Sequence, residues 1–278
     1  MAAGLSCWAV VGVSRNSVAT RASKTHLPQR KKTMKKIDIK TADGVCPAYV
    51  FTPEGEGPWP AVLMYMDIFG VRPAAMELAE RLASNGYYVL QPDLMWRLGD
   101  YGPLDPAAVF ADSEKRKALF PAHLAAASPA HVMSDTRAFL DAIAADPDAR
   151  DGPIGAVGYC LGGRLALTAA GTYPDAFAAV ASYHAGGLVT EDPYAPVQLA
   201  GKMQARLYIG GAKDDASFTD DMKAALDVKF REAGLDYVIE TYDAQHGWVY
   251  RDFPVHDAAA TERHWQTLTA LFGDVLKS

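Results

Sequence analysis

Apolar and polar residues follow two rhythms along this chain, one of period two and one of period 3.6, and the two take turns. "KIDIKT" alternates strictly, and a DG turn leads from it to "VCPAYVFTP", which predicts a strand–turn–strand opening. "WPAVLMYM" (59–66) is an unbroken apolar run of strand length, as expected for a strand covered on both faces. Residues 72–86, "RPAAMELAERLASNG", repeat apolar positions at helical spacing (Met76, Leu78, Ala79, Leu82) and end on Gly86, a helix-stop glycine. "YYVLQPDL" (87–94) is the next strand. Residues 97–122, with scattered Pro and Gly, form a loop or short lid helices, and 131–146 form an amphipathic helix.

The same alternation continues to the end of the sequence. "PIGAVGYC" is a strand and "LGGRLALTAAGTY" a helix. Strands follow at 177–184, 205–211 and 237–243, and helices at 218–234 and 259–273. Strand–helix–strand order of this kind folds as a mostly parallel sheet with helices on both faces, because parallel strands need right-handed crossovers. The fold class is therefore α/β. No repeat and no linker divides residues 34–278, which are expected to form a single domain.

Composition narrows the function. The net charge is −6, but residues 1–33 hold six Lys/Arg and no acid, leaving 21 basic against 33 acidic residues in the rest, a balance of −12. So acidic a body argues against nucleic-acid binding, which depends on neutralising phosphates. Residues 1–33 read as a disordered extension or as chain ahead of a natural start at Met34, with a transit segment as the alternative. Three cysteines (Cys7, Cys46, Cys160) make no disulfide framework, which favours a reducing, cytoplasmic setting. No apolar run approaches the roughly 18 residues of a membrane span.

Candidate chemistry centres on "GAVGYCLGG". Gly158-Tyr159-Cys160-Leu161-Gly162 has the spacing of a G-x-S-x-G nucleophile elbow with cysteine in the serine position. Glycines at −2 and +2 make room for a sharp strand-to-helix turn. The helix N-terminus under the sulfur favours a thiolate and an oxyanion. A buried packing cysteine is the competing interpretation of the motif by itself. An elbow nucleophile is followed in the chain by an acid and then a histidine. Of the four histidines after Cys160, His184 ends a strand, and His256 and His264 flank or lie in the last helix, His264 on its surface. His246 sits in the loop "AQHGW" after a strand and is the expected base. Asp214 and Asp215 both follow the strand "ARLYIGG". Either can orient a histidine, and either, or Ser217, can cap the helix beginning near 218; Asp215 is preferred. No metal-ligand spacing and no phosphate loop occurs, so no cofactor is expected.

Residues 34–275 are similar to the dienelactone hydrolase (carboxymethylenebutenolidase) family of the α/β-hydrolase superfamily. The similarity rests on "YMDIFGVRPAAMELAERLASNGYYVLQPDL", "GAVGYCLGGRLAL", "GGAKDDASF" and "AQHGW". It implies a Cys160–His246–Asp215 triad, an oxyanion hole from the Leu161 and Ile68 N–H groups, and hydrolysis of small lactones or esters. Members of the family have a Glu before "IFG" that contacts the nucleophile and helps deprotonate it; Asp67, one methylene shorter, stands there in this chain and is expected to modulate Cys160, directly or through a water. Members bind the substrate carboxylate through two arginines. Arg97 matches one of them, with a surface charge as its alternative role. Tyr250 occupies the position of the other, with Arg251 adjacent. Trp248 and Tyr101 are further candidates to line the pocket. The expected partner is a small-molecule lactone or ester, with no nucleic acid or membrane, in a monomer or small homo-oligomer. A general carboxylesterase, or a redox-sensing thiol protein on a hydrolase fold, are the alternative functions.

Overall fold

The computed structural model describes residues 33–278. The expected extension 1–33, and Cys7 within it, lies outside the described residues except for Thr33, which opens the first strand. In chain order the elements are β1 (Thr33–Lys40), β2 (Val45–Thr52), β3 (Ala61–Tyr65), α1 (Pro73–Ser84), β4 (Tyr88–Pro92), α2 (Pro106–Ala111), α3 (Ser113–Ala126) and α4 (Pro129–Ala145). They continue with β5 (Ile154–Tyr159), α5 (Leu161–Thr172), β6 (Phe177–Tyr183), α6 (Pro196–Leu199), β7 (Arg206–Ala212), α7 (Asp220–Glu232), β8 (Tyr237–Tyr242) and α8 (Ala258–Leu276).

All eight strands join one sheet in the order β1-β2-β4-β3-β5-β6-β7-β8. The β1–β2 and β2–β4 pairs are antiparallel, and every pair from β4 to β8 is parallel. β3 and β5 are buried at every position, which is why they read as apolar runs rather than as alternations. α1 starts with Pro73 in its first turn and buries Leu78, Ala79, Leu82 and Ala83. Two expectations change. The cap of α7 is Thr219, whose hydroxyl accepts from the Met222 N–H, while the side chain of Asp215 serves elsewhere. His264 is fully buried, because its face of α8 packs on β6. Its Nε2 is hydrogen-bonded to the Tyr159 hydroxyl at 3.0 Å and its ring lies 4.3 Å from that of Tyr183.

A parallel sheet sends the carboxyl ends of its strands to one edge. The segments after β3, β5, β6, β7 and β8 therefore deliver Asp67–Ile68, Cys160, His184, Asp215 and His246 to the same side. α2 and α3 rise over this edge from the segment after β4, each capped by an aspartate (Asp105, Asp112) that accepts two backbone N–H bonds.

Candidate active site

Cys160 joins β5 to α5 with φ 54° and ψ −119°, a conformation rare for a side chain larger than glycine. The neighbouring glycines explain how the turn closes. A Cβ on Gly158 would lie 2.0 Å from the Gly162 carbonyl oxygen, and one on Gly162 would lie 2.2 Å from that of Tyr65. The turn lifts the half-exposed thiol above the sheet at the N-terminus of α5.

His246 meets it from the loop after β8, with Nε2 3.1 Å from the Cys160 sulfur. On the other side of the ring, Nδ1–H donates to Asp215 Oδ2 at 2.7 Å. The second Asp215 oxygen accepts from the Ser217 backbone N–H at 2.9 Å and hydroxyl at 2.6 Å. Ser217 thus holds the acid that holds the histidine, a role its position in "DDASF" did not reveal. Asp214 is exposed, and the carboxylate that accepts from His246 is that of Asp215. Burial pushes the Asp215 carboxyl up, but the bonds from His246 and Ser217 outweigh it and hold the carboxyl down at about 2. Burial pulls the His246 imidazole down, and the charge of the Cys160 sulfur together with Asp215 outweighs it, raising the ring to about 10. This arrangement can store an imidazolium next to a thiolate.

Ile68 and Leu161 line the cavity that contains Cys160 and His246. Among the described residues no backbone carbonyl occupies the N–H of either. The segment carrying Ile68 is fastened from beneath. Asp67 is fully buried; it accepts from the Phe69 N–H at 3.0 Å and from Arg72 Nη1 and Nη2 at 2.7 and 2.8 Å. Its oxygens are directed to Arg72 and not to the Cys160 sulfur, so the contact expected for a Glu at this position is absent. Burial pushes the Asp67 carboxyl up, and Arg72 pulls against it. Arg72 also donates through Nε to Asp252 at 2.6 Å, and its guanidinium lies 4.4 Å from the ring centre of Tyr250. Arg72 therefore ties the Ile68 segment to the segment that follows His246. Sequence reasoning missed it, because Asp252 is 180 residues away.

The other expected substrate contacts fall elsewhere. Arg97 donates to Asp135 at 2.6 Å and to Asp43 at 2.5 Å, and it does not line the cavity. Tyr250 is buried under Arg72, and Trp248 is buried in a stack on Tyr242 with ring centres 4.8 Å apart. Arg251 is exposed, 3.6 Å from Glu77, and Tyr101 donates to Asp93 at 2.8 Å. Each is committed to a partner that the sequence alone did not pair with it. The cavity, about 390 Å³, is instead lined by Phe69, Phe110, Phe120, Leu124, Phe253 and Arg164, besides the residues named above. His184, fully buried, backs His246 with ring centres 5.1 Å apart, and burial drives its pKa well down. Among the described residues no three His, Cys, Asp or Glu side chains are grouped to hold a metal ion, and no helix is long and apolar enough to cross a membrane.

Comparison with known proteins bears on the family and the fold. The chain is 30% identical over 244 residues to "Putative carboxymethylenebutenolidase" of Methylorubrum extorquens, covering 82% of this chain and 79% of that one. It is 35% identical over 114 residues to a carboxymethylenebutenolidase of a Pseudomonas species, covering 41% of this chain and 45% of that protein. A crystal structure described as "Putative Dienelactone Hydrolase" from Klebsiella pneumoniae superposes with a TM-score of 0.76 at 23% identity, covering 88% of this chain and 99% of that one, and so shares the fold. The family model "Dienelactone hydrolase family" matches residues 46–276. With an α/β-hydrolase sheet, an elbow cysteine and a family match across most of its length, the chain belongs to the dienelactone hydrolase family.

Proposed function

We propose that the protein hydrolyses small esters or lactones through a covalent thioester on Cys160. The observation that carries this reading is the unbroken relay Asp215–His246–Cys160, with contacts of 2.7 and 3.1 Å, opening on a largely apolar cavity. The Cys160 thiolate attacks the substrate carbonyl, and the oxyanion turns toward the Leu161 and Ile68 N–H groups. Each such donor contributes about 3 kcal/mol to the barrier reduction. The C–O bond breaks, and His246 gives its proton to the departing alkoxide. In the thioester the sulfur carries no charge, so the imidazole loses one of the two partners that held its pKa up. It becomes a neutral base able to take a proton from water, and attack of that water returns the acid product and the thiolate. Asp215 keeps the ring in the tautomer and orientation both half-reactions need. Asp67, held by Arg72, acts through the loop it anchors and not on the thiol.

The test is turnover of cis- and trans-dienelactone and of p-nitrophenyl acetate by the purified protein. The reading requires hydrolysis of at least one of them, reduced about a thousandfold or more in Cys160→Ala and His246→Ala. Undiminished turnover in Cys160→Ala contradicts it.

A further inference from the structure

Two features of the cavity over Cys160 bear on what it accepts. The first is the charge inventory. Two cationic side chains line it: His246, already set between Asp215 and the Cys160 sulfur, and Arg164, whose Nη2 donates to the Asp192 carboxylate while its buried Nε–H has no partner among the described residues. The nearby arginines are matched as well: Arg72 holds Asp67 and Asp252, Arg97 holds Asp135 and Asp43, and Arg251 faces Glu77. Among the described residues no cation facing the cavity lacks a carboxylate partner, so an entering carboxylate would leave water for a charge already neutralised, an unfavourable exchange. The second is the aromatic part of the lining. Phe69 meets Phe110 at 5.4 Å, Phe120 at 6.1 Å and Phe253 at 5.4 Å between ring centres, all edge-to-face. Phe110 comes from α2 and Phe120 from α3, the helices laid over the strand ends, and Leu124 extends the surface to an exposed rim. The volume of about 390 Å³ is that of a site for a ring-sized group.

Building on the hydrolase reading above, we propose that the substrate is an uncharged ester or lactone with an aromatic or branched apolar arm. Phe110 and Phe120, on the two cap helices, determine that selectivity. The arm packs against the edge-to-face ring cluster, and the scissile carbonyl stays over the sulfur.

The experiment uses the full chain and a pH-stat to follow methyl acetate, methyl phenylacetate and phenyl acetate, with the ring-carboxylated form of each aryl ester. Every kcat/KM is divided by that ester's own alkaline hydrolysis rate. The expected result is a preference of about tenfold or more for a ring-bearing ester over methyl acetate, and a loss of about tenfold on adding the carboxylate. Phe110→Ala and Phe120→Ala bring the aryl-to-acetate ratio to within about threefold of unity, and Phe120→Leu retains part of it. Melting temperatures identify any variant that does not fold, in which case Phe120→Leu and the carboxylate comparison decide. Better turnover of the carboxylated esters, or a ratio indifferent to both phenylalanines, overturns the proposal. Turnover of methyl acetate with no aryl preference defeats the proposal and leaves the hydrolase reading standing, whereas no turnover of any ester defeats both.

Discussion

Replacing Arg72 with methionine tests the support under the candidate oxyanion hole. The substitution keeps most of the aliphatic stem and removes the guanidinium. Asp67, fully buried, would retain one donor, the Phe69 N–H. Breaking a buried ion pair by removing one partner costs about 3–5 kcal/mol, because the remaining charge has neither water nor a counter-ion. At about 2–4 °C per kcal/mol for a domain of this size, the melting temperature falls by roughly 6–20 °C. The loss depends on pH. Burial already holds the Asp67 carboxyl above its unfolded value with Arg72 in place; without Arg72 it rises further, so the folded variant binds a proton before the unfolded chain does. Its deficit is then greatest at neutral pH and shrinks as the pH falls through the raised value. Asp67→Asn in the Arg72→Met background removes the stranded charge and recovers at least half of the lost stability. Loosening the Ile68 segment lowers kcat on p-nitrophenyl acetate more than it changes KM. Thermal melts between pH 4 and 8, together with steady-state kinetics, read all of this. A melting temperature within about 2 °C of wild type with unchanged kcat would refute the clamp.

Two other consequences follow from the elbow and its histidine. Gly162→Ala pushes a Cβ to within 2.2 Å of the Tyr65 oxygen and 2.4 Å of that of Met66, both of them backbone atoms. A loss of about 1–3 kcal/mol or more is expected by chemical denaturation, and a variant as stable as wild type would mean that the turn has room to spare. The pKa of His246 near 10 lies above its unfolded value, so its contribution to stability is complete below pH ~6.5 and is lost as the pH rises toward 10. Alkylating Cys160 with iodoacetamide removes the thiolate and brings the imidazole pKa down, measured by NMR titration of the ring. An imidazole pKa unmoved by alkylation would show that the sulfur carries no charge in the resting protein.

Much of this site was legible because its parts are local signals. The alternation of strands and helices located the strand ends, and each of Cys160, Asp215 and His246 lies directly after a strand in a short recognisable stretch. Long-range pairing was not legible. Arg97 resembled a ligand arginine until Asp135 and Asp43 were seen to take it, and nothing in the chain near Arg72 announces Asp252. His264 read as a surface residue because histidine is polar, yet it shares its face of α8 with the buried Leu268 and Leu271. The cap helices were hard to see for the opposite reason. α2 buries only Pro106 and Val109, and α3 only His123 and Ala126, so their apolar stripes are too thin to stand out from a loop. The phenylalanines they hold over Cys160 were visible as letters but not as a wall.

The central claim is a thioester on Cys160, and the most direct measurement is to catch it. The protein is mixed with a p-nitrophenyl ester, quenched in acid within the first turnover, and its intact mass recorded before peptide mapping. The account predicts a gain equal to one acyl group on the peptide containing Cys160, released by hydroxylamine and absent from Cys160→Ala. Turnover with no adduct at any quench time, or an adduct on another residue, would contradict it.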